Sequence, residues 1–270
     1  MSTAARYGKL ISIFTAVLVL SLFAGLSCTE DSSALNVYAA AGAKPPLDEI
    51  CRQYEEQCST CVEINYGGGG EVLNQMVLSR SGDIYIAPEQ RFMEIAVEKQ
   101  AIYPDTVKCI AYMVPVIAVT AGNPLNITAL ADLAAPGIRV AVTRPETTLL
   151  GKYAPEIFAK AGLSDDIGNN IVTEAARPDS LLNMLIMGQV DAGIIWHFYG
   201  TQYPDDIEII YLEPGQVTGI GEMQIAVSAY TADEESAREY IDFITSADGK
   251  AVFRQLGYFV DYEEVKVFWQ

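Results

Sequence analysis

Four consecutive glycines, Gly67–Gly70, separate a strand-like run from a helix-like run in the stretch "VEINYGGGGEVLNQMVLS". Because glycine has no Cβ, its backbone N–H can approach a bound group closely. The first N–H groups of a helix also lack an acceptor within the helix, and they attract anions. The turn is therefore a candidate anion site formed by main-chain donors. The alternative interpretation is a tight, flexible turn without a ligand.

Two familiar phosphate-binding motifs do not match this stretch. A P-loop needs a Lys followed by Ser or Thr after the glycines, whereas Glu71 and Val72 follow here. The dinucleotide fingerprint has a different glycine spacing and follows the first strand, whereas these glycines follow the second. Neither nucleotide motif therefore explains the glycines.

Nucleophilic and metal-binding side chains do not form a catalytic set. The only histidine is His197, and "CSTC" at 58–61 has C-x-x-C spacing without a second such pair. A hydrolase needs a nucleophile and a base within reach, and a zinc site needs further ligands. We therefore expect no enzyme and no cofactor, and His197 is either a cleft residue or a core residue.

An even number of cysteines remains when Cys28 is set aside. An even number in an oxidising compartment predicts structural disulfides, whose pairing stays open. The four residues concerned are Cys51, Cys58, Cys61 and Cys109.

The N-terminus has the pattern of a secretory signal. Arg6 and Lys9 precede the uncharged run "LISIFTAVLVLSLFAGLS", and Cys28 follows that run. The arrangement resembles a bacterial or archaeal lipoprotein signal, although Gly25 stands where a bulky aliphatic residue is usual. We expect residues 1–27 to be the signal peptide, Cys28 to carry the lipid and 28–34 to be a tether. A cleaved signal with an incidental cysteine and an uncleaved anchor are the alternatives, and all three place the body outside the cytoplasm.

Composition excludes one class of partner. The 270 residues include 17 Lys and Arg against 35 Asp and Glu, a net charge of −18. Binding to nucleic acid needs clustered basic residues for phosphate contacts, so we expect no nucleic-acid partner.

Strand-like and helix-like segments alternate from Leu35 onward, which predicts an α/β fold with mostly parallel sheets. Pro115 interrupts a long apolar run and fits an edge or crossing strand better than a central one. Two α/β units with a returning chain predict lobe 1 at 35–113 plus 226–270 and lobe 2 at 114–225. Parallel sheets bind ligands beyond the carboxyl ends of their strands. The first unit has three such ends, in "AAAGAKPP", "YGGGGEV" and "IAPEQ".

The order of these segments resembles a known family. "LNVYAAAGAKPPLDEI", "INYGGGGEVLNQM" and "GDIYIAPEQ" resemble the first lobe of the molybdate/tungstate-binding proteins of ABC transporters. "RPETTLLGKYAPEIFAKAG", "LNMLIMGQVDAGIIWHFY" and "SAREYIDFITSADGKAVFRQLGYF" resemble later segments of the same family. The resemblance extends from Leu35 to Phe259. It implies a two-lobed type II periplasmic-binding-protein fold, each lobe a mostly parallel sheet flanked by helices, with crossing hinge strands.

The resemblance also implies a set of ligand-binding residues. The family's serines fall on Gly42, Gly69 and Gly70, so main-chain N–H groups would replace their hydroxyls. The small residue after the third strand falls on Ala87 or Pro88. The implied ligand-binding set is Gly42, Ala43, Gly69, Gly70, Ala87, Thr148, Trp196 and Tyr199.

Several of these positions have a second interpretation. The middle contact falls near Thr148 or Leu149, and Trp196 replaces a donating tyrosine, with strand-end packing as the alternative for Trp196 and Tyr199. Glu146 is a candidate extra ligand to the metal centre of an oxyanion, and no free metal cation is expected. Glu71 is better explained as a charge that complements the helix dipole.

The resemblance implies an extracytoplasmic solute-binding lipoprotein. It would capture an oxyanion, molybdate or tungstate first, among uncharged donors between the lobes and deliver it to an ABC transporter permease. It would act as a monomer anchored to the membrane, and its lobes would close about Val114–Val119 and Ile225–Ser228. The alternatives are the same fold binding phosphate, sulfate, a ferric complex or a small organic solute, and, less favoured, an enzyme or sensor domain.

Overall fold

The structure, a computed structural model, describes residues 34–58 and 60–269. The stretch Ala34–Gln270 forms one compact unit by itself. The predicted signal peptide, Cys28 and nearly all of the predicted tether lie outside the described residues. Within the part that is described, no helix combines the length and apolarity needed to cross a bilayer.

Lobe 1 begins with three parallel strands, each followed by a helix. Ala40, the last residue of the first strand, pairs with Gly67 at the end of the second strand. The carboxyl ends of these strands therefore meet at one edge. The elements are β1 (Leu35–Ala40), α1 (Lys44–Cys58), β2 (Val62–Gly67), α2 (Gly69–Ser79), β3 (Ile84–Ala87) and α3 (Gln90–Glu98).

The chain then crosses to lobe 2 at Val114. This residue separates β4 (Lys108–Met113), in the first sheet, from β5 (Pro115–Thr120), in the second. Pro115 is the first residue of β5, where its missing N–H interrupts the ladder least. The predicted crossing strand is confirmed, but β5 is not an edge strand, because it pairs with both β8 and β9.

Lobe 2 repeats the strand–helix alternation. Its sheet has the order β7-β6-β8-β5-β9, in which β6, β7 and β8 are parallel while β5 and β9 form an antiparallel pair. Its elements are β6 (Val140–Thr143), α4 (Leu149–Lys160), α5 (Ser164–Gly168), β7 (Ile171–Ala175), α6 (Pro178–Ile186), β8 (Ala192–Trp196), α7 (Tyr199–Gln202) and β9 (Ile207–Tyr211).

The return to lobe 1 occurs earlier than the sequence indicated. Strand β10 (Gly221–Val227) pairs antiparallel with both β3 and β4, which completes the order β2-β1-β3-β10-β4. Gly221 already lies beside Met113 in this ladder. The predicted boundary after residue 225 and the predicted hinge at Ile225–Ser228 differ from this pairing, which places the second crossing within 212–220.

Three helices follow β10. They are α8 (Glu234–Thr245), α9 (Ala247–Gln255) and α10 (Tyr262–Trp269). Buried aliphatic and aromatic side chains from both sheets form one large core, and Val72, Leu73 and Met76 of α2 belong to a second, smaller one. Two five-stranded, mostly parallel sheets flanked by helices confirm the predicted two-lobed α/β fold.

The prediction of structural disulfides is wrong for this structure. All four cysteines of the described residues are free thiols: Cys51, Cys58, Cys61 and Cys109. The two less accessible thiols have backbone partners instead, since Cys51 Sγ donates to Val62 O and Cys109 Sγ donates to Ala111 O, both at 3.5 Å. Burial raises the pKa of Cys51 to about 11 and that of Cys109 to about 12.

Candidate ligand-binding cleft

A cavity of about 880 Å³ lies between the lobes, where the carboxyl ends of the parallel strands of both sheets meet. Its volume is in the range of small-molecule sites. Lobe 1 contributes three turns to the wall, Ala40–Gly42, Gly67–Glu71 and Pro88–Glu89. Lobe 2 contributes the turns around Thr148, Arg177 and Trp196.

The glycine turn forms the start of α2 and lines the cleft. Gly68 is the residue that precedes the helix, and its N–H donates to the Glu71 carboxylate at 3.2 Å. Glu71 therefore complements the helix start, as the favoured interpretation predicted. The N–H groups of Gly69 and Gly70 belong to the first turn, where an α-helix supplies no acceptor.

Close packing also requires glycine at position 69. A Cβ on Gly69 would lie 2.6 Å from the Pro88 ring and 3.0 Å from Phe92. A Cβ on Gly70 would lie 3.2 Å from Phe92. The absence of side chains lets the start of α2 approach the turn after β3, so these glycines have a packing role whether or not they bind a ligand.

The turn after β1, which contains Gly42, is held by Tyr258 near the C-terminus. Tyr258 donates its hydroxyl to Gly42 O at 2.7 Å, and its ring stacks on Phe198 at 4.2 Å. Gly42 and Phe198 both line the cleft. Sequence reasoning missed Tyr258, because neither its spacing nor its type marks a contact with a turn more than two hundred residues away.

Two of the eight expected ligand-binding residues lie outside the cleft. Ala43 is fully buried in the large core and Ala87 in the smaller one. Ala87 is the last residue of β3, so the chain reaches the cavity only at Pro88 and Glu89. The other six line the cavity: Gly42, Gly69, Gly70, Thr148, Trp196 and Tyr199.

Thr148 uses its hydroxyl to cap a helix. Its Oγ1 accepts from Gly151 N at 2.9 Å and forms a second hydrogen bond with Thr143 Oγ1 at 2.8 Å. This capping satisfies one of the N–H groups at the start of α4. The hydroxyl is therefore already engaged as an acceptor from the backbone.

The backbone N–H of the next residue, Leu149, donates to a buried carboxylate. Glu89, only 4% exposed, extends from lobe 1 so that its two oxygens lie 3.0 and 2.9 Å from Leu149 N, which donates to them. Burial raises the pKa of Glu89 to about 7, against the opposing effects of the Leu149 N–H and of Arg91 and Lys152. Sequence reasoning missed Glu89; its position directly after the third strand end was the available signal.

Aromatic side chains form the opposite wall. Trp196 packs edge-to-face against Tyr153 with ring centroids 6.5 Å apart, and Phe198 contacts Tyr199 at 4.4 Å. Among the described residues, neither the Trp196 indole N–H nor the Tyr199 hydroxyl has a hydrogen-bond partner. Burial raises the pKa of Tyr199, so its hydroxyl keeps its proton and can donate.

His197 lies in the core and not in the cleft. Its Nδ1 accepts from Val114 N at 3.1 Å, and its ring stacks on Phe259 at 4.3 Å. Burial lowers its pKa to about 3, so the imidazole is neutral at physiological pH. Of the two interpretations of His197, the core residue is the one the structure shows.

Three basic side chains line the cleft, which the sequence did not suggest. Lys44 pairs with Asp48 at 2.9 Å and Arg177 pairs with Asp179 at 2.9 Å. Arg91 donates to the backbone carbonyl of Glu146 at 3.3 Å. Glu146 is exposed and also lines the cleft. The expectation of uncharged donors alone is therefore incomplete.

The geometry suits non-covalent capture of an anion with polar and apolar parts. First-turn N–H groups, an indole, a phenol and guanidinium groups surround a cavity whose wall also contains Phe92, Met113 and Met223. Within the part of the chain that the structure describes, no three His, Cys, Asp or Glu side chains are grouped as metal ligands.

The chain is similar to known binding proteins. The family model described as "Bacterial extracellular solute-binding protein" matches residues 35–259. Molybdate-binding protein ModA of Mycobacterium bovis is 25% identical over 231 residues, which cover 85% of this chain and 86% of the relative.

Two solved structures show the same fold. The periplasmic molybdate-binding protein of Azotobacter vinelandii has a TM-score of 0.71 at 19% identity, over 84% of this chain and 99% of that one. PEB3 of Campylobacter jejuni with bound L-phospholactate has a TM-score of 0.73 at 20% identity, over 84% of this chain and 100% of that one. The resemblance drawn from the sequence is confirmed. The chain belongs to the family of bacterial extracellular solute-binding proteins.

Proposed function

We propose that this protein captures an oxyanion, molybdate or tungstate first, in the inter-lobe cleft and delivers it to an ABC importer. The observation that supports this most is the start of α2, where the first-turn N–H groups of Gly69 and Gly70 line the cleft. Its curated relative in Mycobacterium bovis is named a molybdate-binding protein.

The contacts we propose are mainly with the main chain. Gly42, Gly69 and Gly70 contribute N–H groups, while the Trp196 indole and the Tyr199 hydroxyl donate from the opposite wall. Such preformed donors replace the hydration shell of an anion without side-chain rearrangement. Thr148 contributes through its position at the start of α4, and Glu146 remains a candidate extra ligand.

Attachment and localisation form a separate part of the proposal. The protein acts outside the cytoplasm as a monomer held by lipid on Cys28, which follows the apolar N-terminal run. Binding without catalysis fits the position of His197, the single histidine of the sequence, which is buried in the core and hydrogen-bonded to Val114 N. Cys28→Ser should release the protein from the membrane fraction, and an unchanged membrane fraction would contradict the lipid anchor.

A small organic anion is the second candidate ligand. The cavity volume of about 880 Å³ and the aromatic, Pro and Met side chains in its wall suit an apolar body attached to an anionic group. The structural neighbour PEB3 contains L-phospholactate, an organic phosphate.

Calorimetric titration tests both candidates. The full chain in mild detergent is titrated with molybdate, tungstate, sulfate, phosphate and phospholactate. We expect molybdate or tungstate to bind most tightly, and Trp196→Phe to weaken that binding about tenfold through loss of one donor to a charged group. Tyr211→Phe, an exposed residue outside the cleft, serves as the control. Tight binding of phospholactate alone would favour the second candidate, and no heat with any anion would overturn the proposal.

A further inference from the structure

Glu89 is a carboxylate of one lobe seated on the helix start of the other. It precedes α3, and both of its oxygens accept from Leu149 N, the first residue of the twelve-residue helix α4. The side chain is 96% buried and lines the cleft. A first-turn N–H is a donor that attracts anions, and here an anionic group of the protein itself has bound it.

The position of this contact coincides with an expected ligand contact. The family resemblance placed the middle ligand contact near Thr148 or Leu149, and the Glu89 carboxylate lies against Leu149 N. An ionised carboxylate only accepts hydrogen bonds, and two oxygens offer about four acceptor sites. Among the described residues, the Leu149 N–H is the single hydrogen-bond donor to the Glu89 carboxylate, while the Phe92 N–H donates to the Glu89 backbone carbonyl. The buried carboxylate thus has free acceptor capacity within the cleft.

None of the charged and titratable neighbours of Glu89 donates a hydrogen bond to its carboxylate. Arg91 on α3 directs a guanidinium nitrogen to the carbonyl of Glu146, and Tyr153 on α4 donates its hydroxyl to Ile220 O. Lys152 on α4 is exposed and acts on Glu89 only through its charge. An unsatisfied buried carboxylate is costly, so a group that brings a proton to it is favoured.

We propose that Glu89 determines which oxyanion the cleft accepts, because one proton must lie between its carboxylate and the nearest oxygen of the bound anion. This inference rests on the proposed capture of an oxyanion in the cleft. An anion that carries a proton, such as hydrogen phosphate or a protonated phosphate monoester, donates its O–H to ionised Glu89. Fully deprotonated molybdate or sulfate binds when Glu89 itself is protonated and donates to the anion.

The proton balance differs between the two cases. When molybdate or sulfate binds above the pH at which Glu89 ionises, one proton moves from solvent to a Glu89 oxygen. That oxygen then donates a hydrogen bond to the anion, and no covalent bond is made or broken. When hydrogen phosphate binds, the anion supplies the proton and none is taken up.

The experiment is calorimetric titration of the full-length protein in mild detergent at pH 6, 7, 8 and 9, in two buffers with different protonation enthalpies. The wild type should bind molybdate and sulfate about tenfold more weakly for each pH unit above 7, with about one proton taken up per anion at pH 8. Hydrogen phosphate should show neither effect at pH 8. Glu89→Gln, whose amide donates at every pH, should lose the pH slope and the proton uptake for molybdate and should bind hydrogen phosphate more weakly.

Glu94→Gln provides the matched control, because Glu94 is an exposed carboxylate on the same helix, α3. This variant should behave as the wild type does. Molybdate binding that is independent of pH in the wild type, or an unchanged pH slope in Glu89→Gln, would overturn the role of Glu89 and leave anion capture intact. No binding of any anion by either protein would overturn anion capture and this inference together.

Discussion

The carboxylate of Glu89 lies 2.9 Å from the backbone nitrogen of Leu149, so a side chain of lobe 1 caps a helix of lobe 2. Arg91 forms a second contact across the cleft, to the carbonyl of Glu146. These contacts join the lobes at one edge of the cleft. The buried carboxylate also lies at the helix start where an anion is expected to bind. Its protonation should therefore affect both the free energy of unfolding and the affinity for an anion.

Glu89 should make the stability of the protein fall as pH rises. Its pKa is raised from 4.5 to about 7 in the folded state, so the folded protein binds more protons than the unfolded chain between these values. The contribution amounts to about 3 kcal/mol, fully lost above pH 7. Denaturant unfolding at pH 5 and pH 8 should show that the wild type loses more stability than Glu89→Gln over this interval. Equal losses in the two proteins would contradict a raised pKa.

Tyr258 should stabilise the first turn of the cleft. Tyr258→Phe removes the hydrogen bond to Gly42 O and keeps the ring stacked on Phe198. We expect a loss of about 1 kcal/mol in the free energy of unfolding and a severalfold weaker anion affinity, because the turn is no longer fixed. Tyr262→Phe, at a half-exposed position, is the control. Unchanged affinity in Tyr258→Phe would show that this turn does not need the tyrosine.

The glycines of the cleft should differ in their tolerance of a methyl group. Gly69→Ala places a Cβ 2.6 Å from the Pro88 ring, whereas a Cβ on Gly42 meets no atom within 4 Å. Gly69→Ala should therefore cost about 1–3 kcal/mol of stability and weaken anion binding. Gly42→Ala should fold as the wild type does. Thermal unfolding of both variants checks this, and equal midpoints would mean that α2 can move away from Pro88.

His197 should contribute to stability as an acceptor in the core. His197→Phe keeps a ring beside Phe259 but leaves Val114 N without its acceptor, which should cost about 1–3 kcal/mol at pH 7. The pKa of His197 is lowered to about 3, so the unfolded chain binds the extra proton between pH 6.5 and 3 and the wild type loses stability as pH falls. The difference between the two proteins should narrow from pH 7 to pH 5. A constant difference would rule out a neutral buried imidazole.

The thiols should be reduced and unequally reactive. Cys58 and Cys61 are exposed, whereas Cys51 and Cys109 are partly buried. In a Cys28→Ser background, a thiol reagent should label Cys58 and Cys61 quickly and all four cysteines only after denaturation. Fewer than four labelled thiols in the denatured protein would contradict free thiols and would support the disulfides that the cysteine count predicted.

Much of the fold followed from local patterns. The alternation from Leu35 onward predicts parallel sheets because each strand must be covered by the helix after it, and Pro115 marks the first crossing. The second crossing was misplaced, because the pairing of β10 with β3 and β4 depends on contacts far away in sequence. Periodicity within one segment does not reveal its partners.

The candidate site was only partly predictable for the same reason. The glycine turn was identifiable because it follows a strand end of the first unit, and Trp196 was identifiable through the family resemblance. The contacts of Glu89 and Tyr258 were not, because their partners, Leu149 and Gly42, belong to distant segments. Ala43 and Ala87 were assigned to the cleft because they adjoin residues that line it, but their own side chains are buried in the cores.

The most direct test of anion capture is a crystal structure of the protein grown with tungstate, with data collected at a wavelength where tungsten scatters anomalously. We predict one dominant anomalous peak in the cleft, within hydrogen-bond distance of the Gly69 or Gly70 N–H, with Trp196 on the opposite side. A cleft without a peak at saturating tungstate, or a dominant peak elsewhere on the protein, would contradict it.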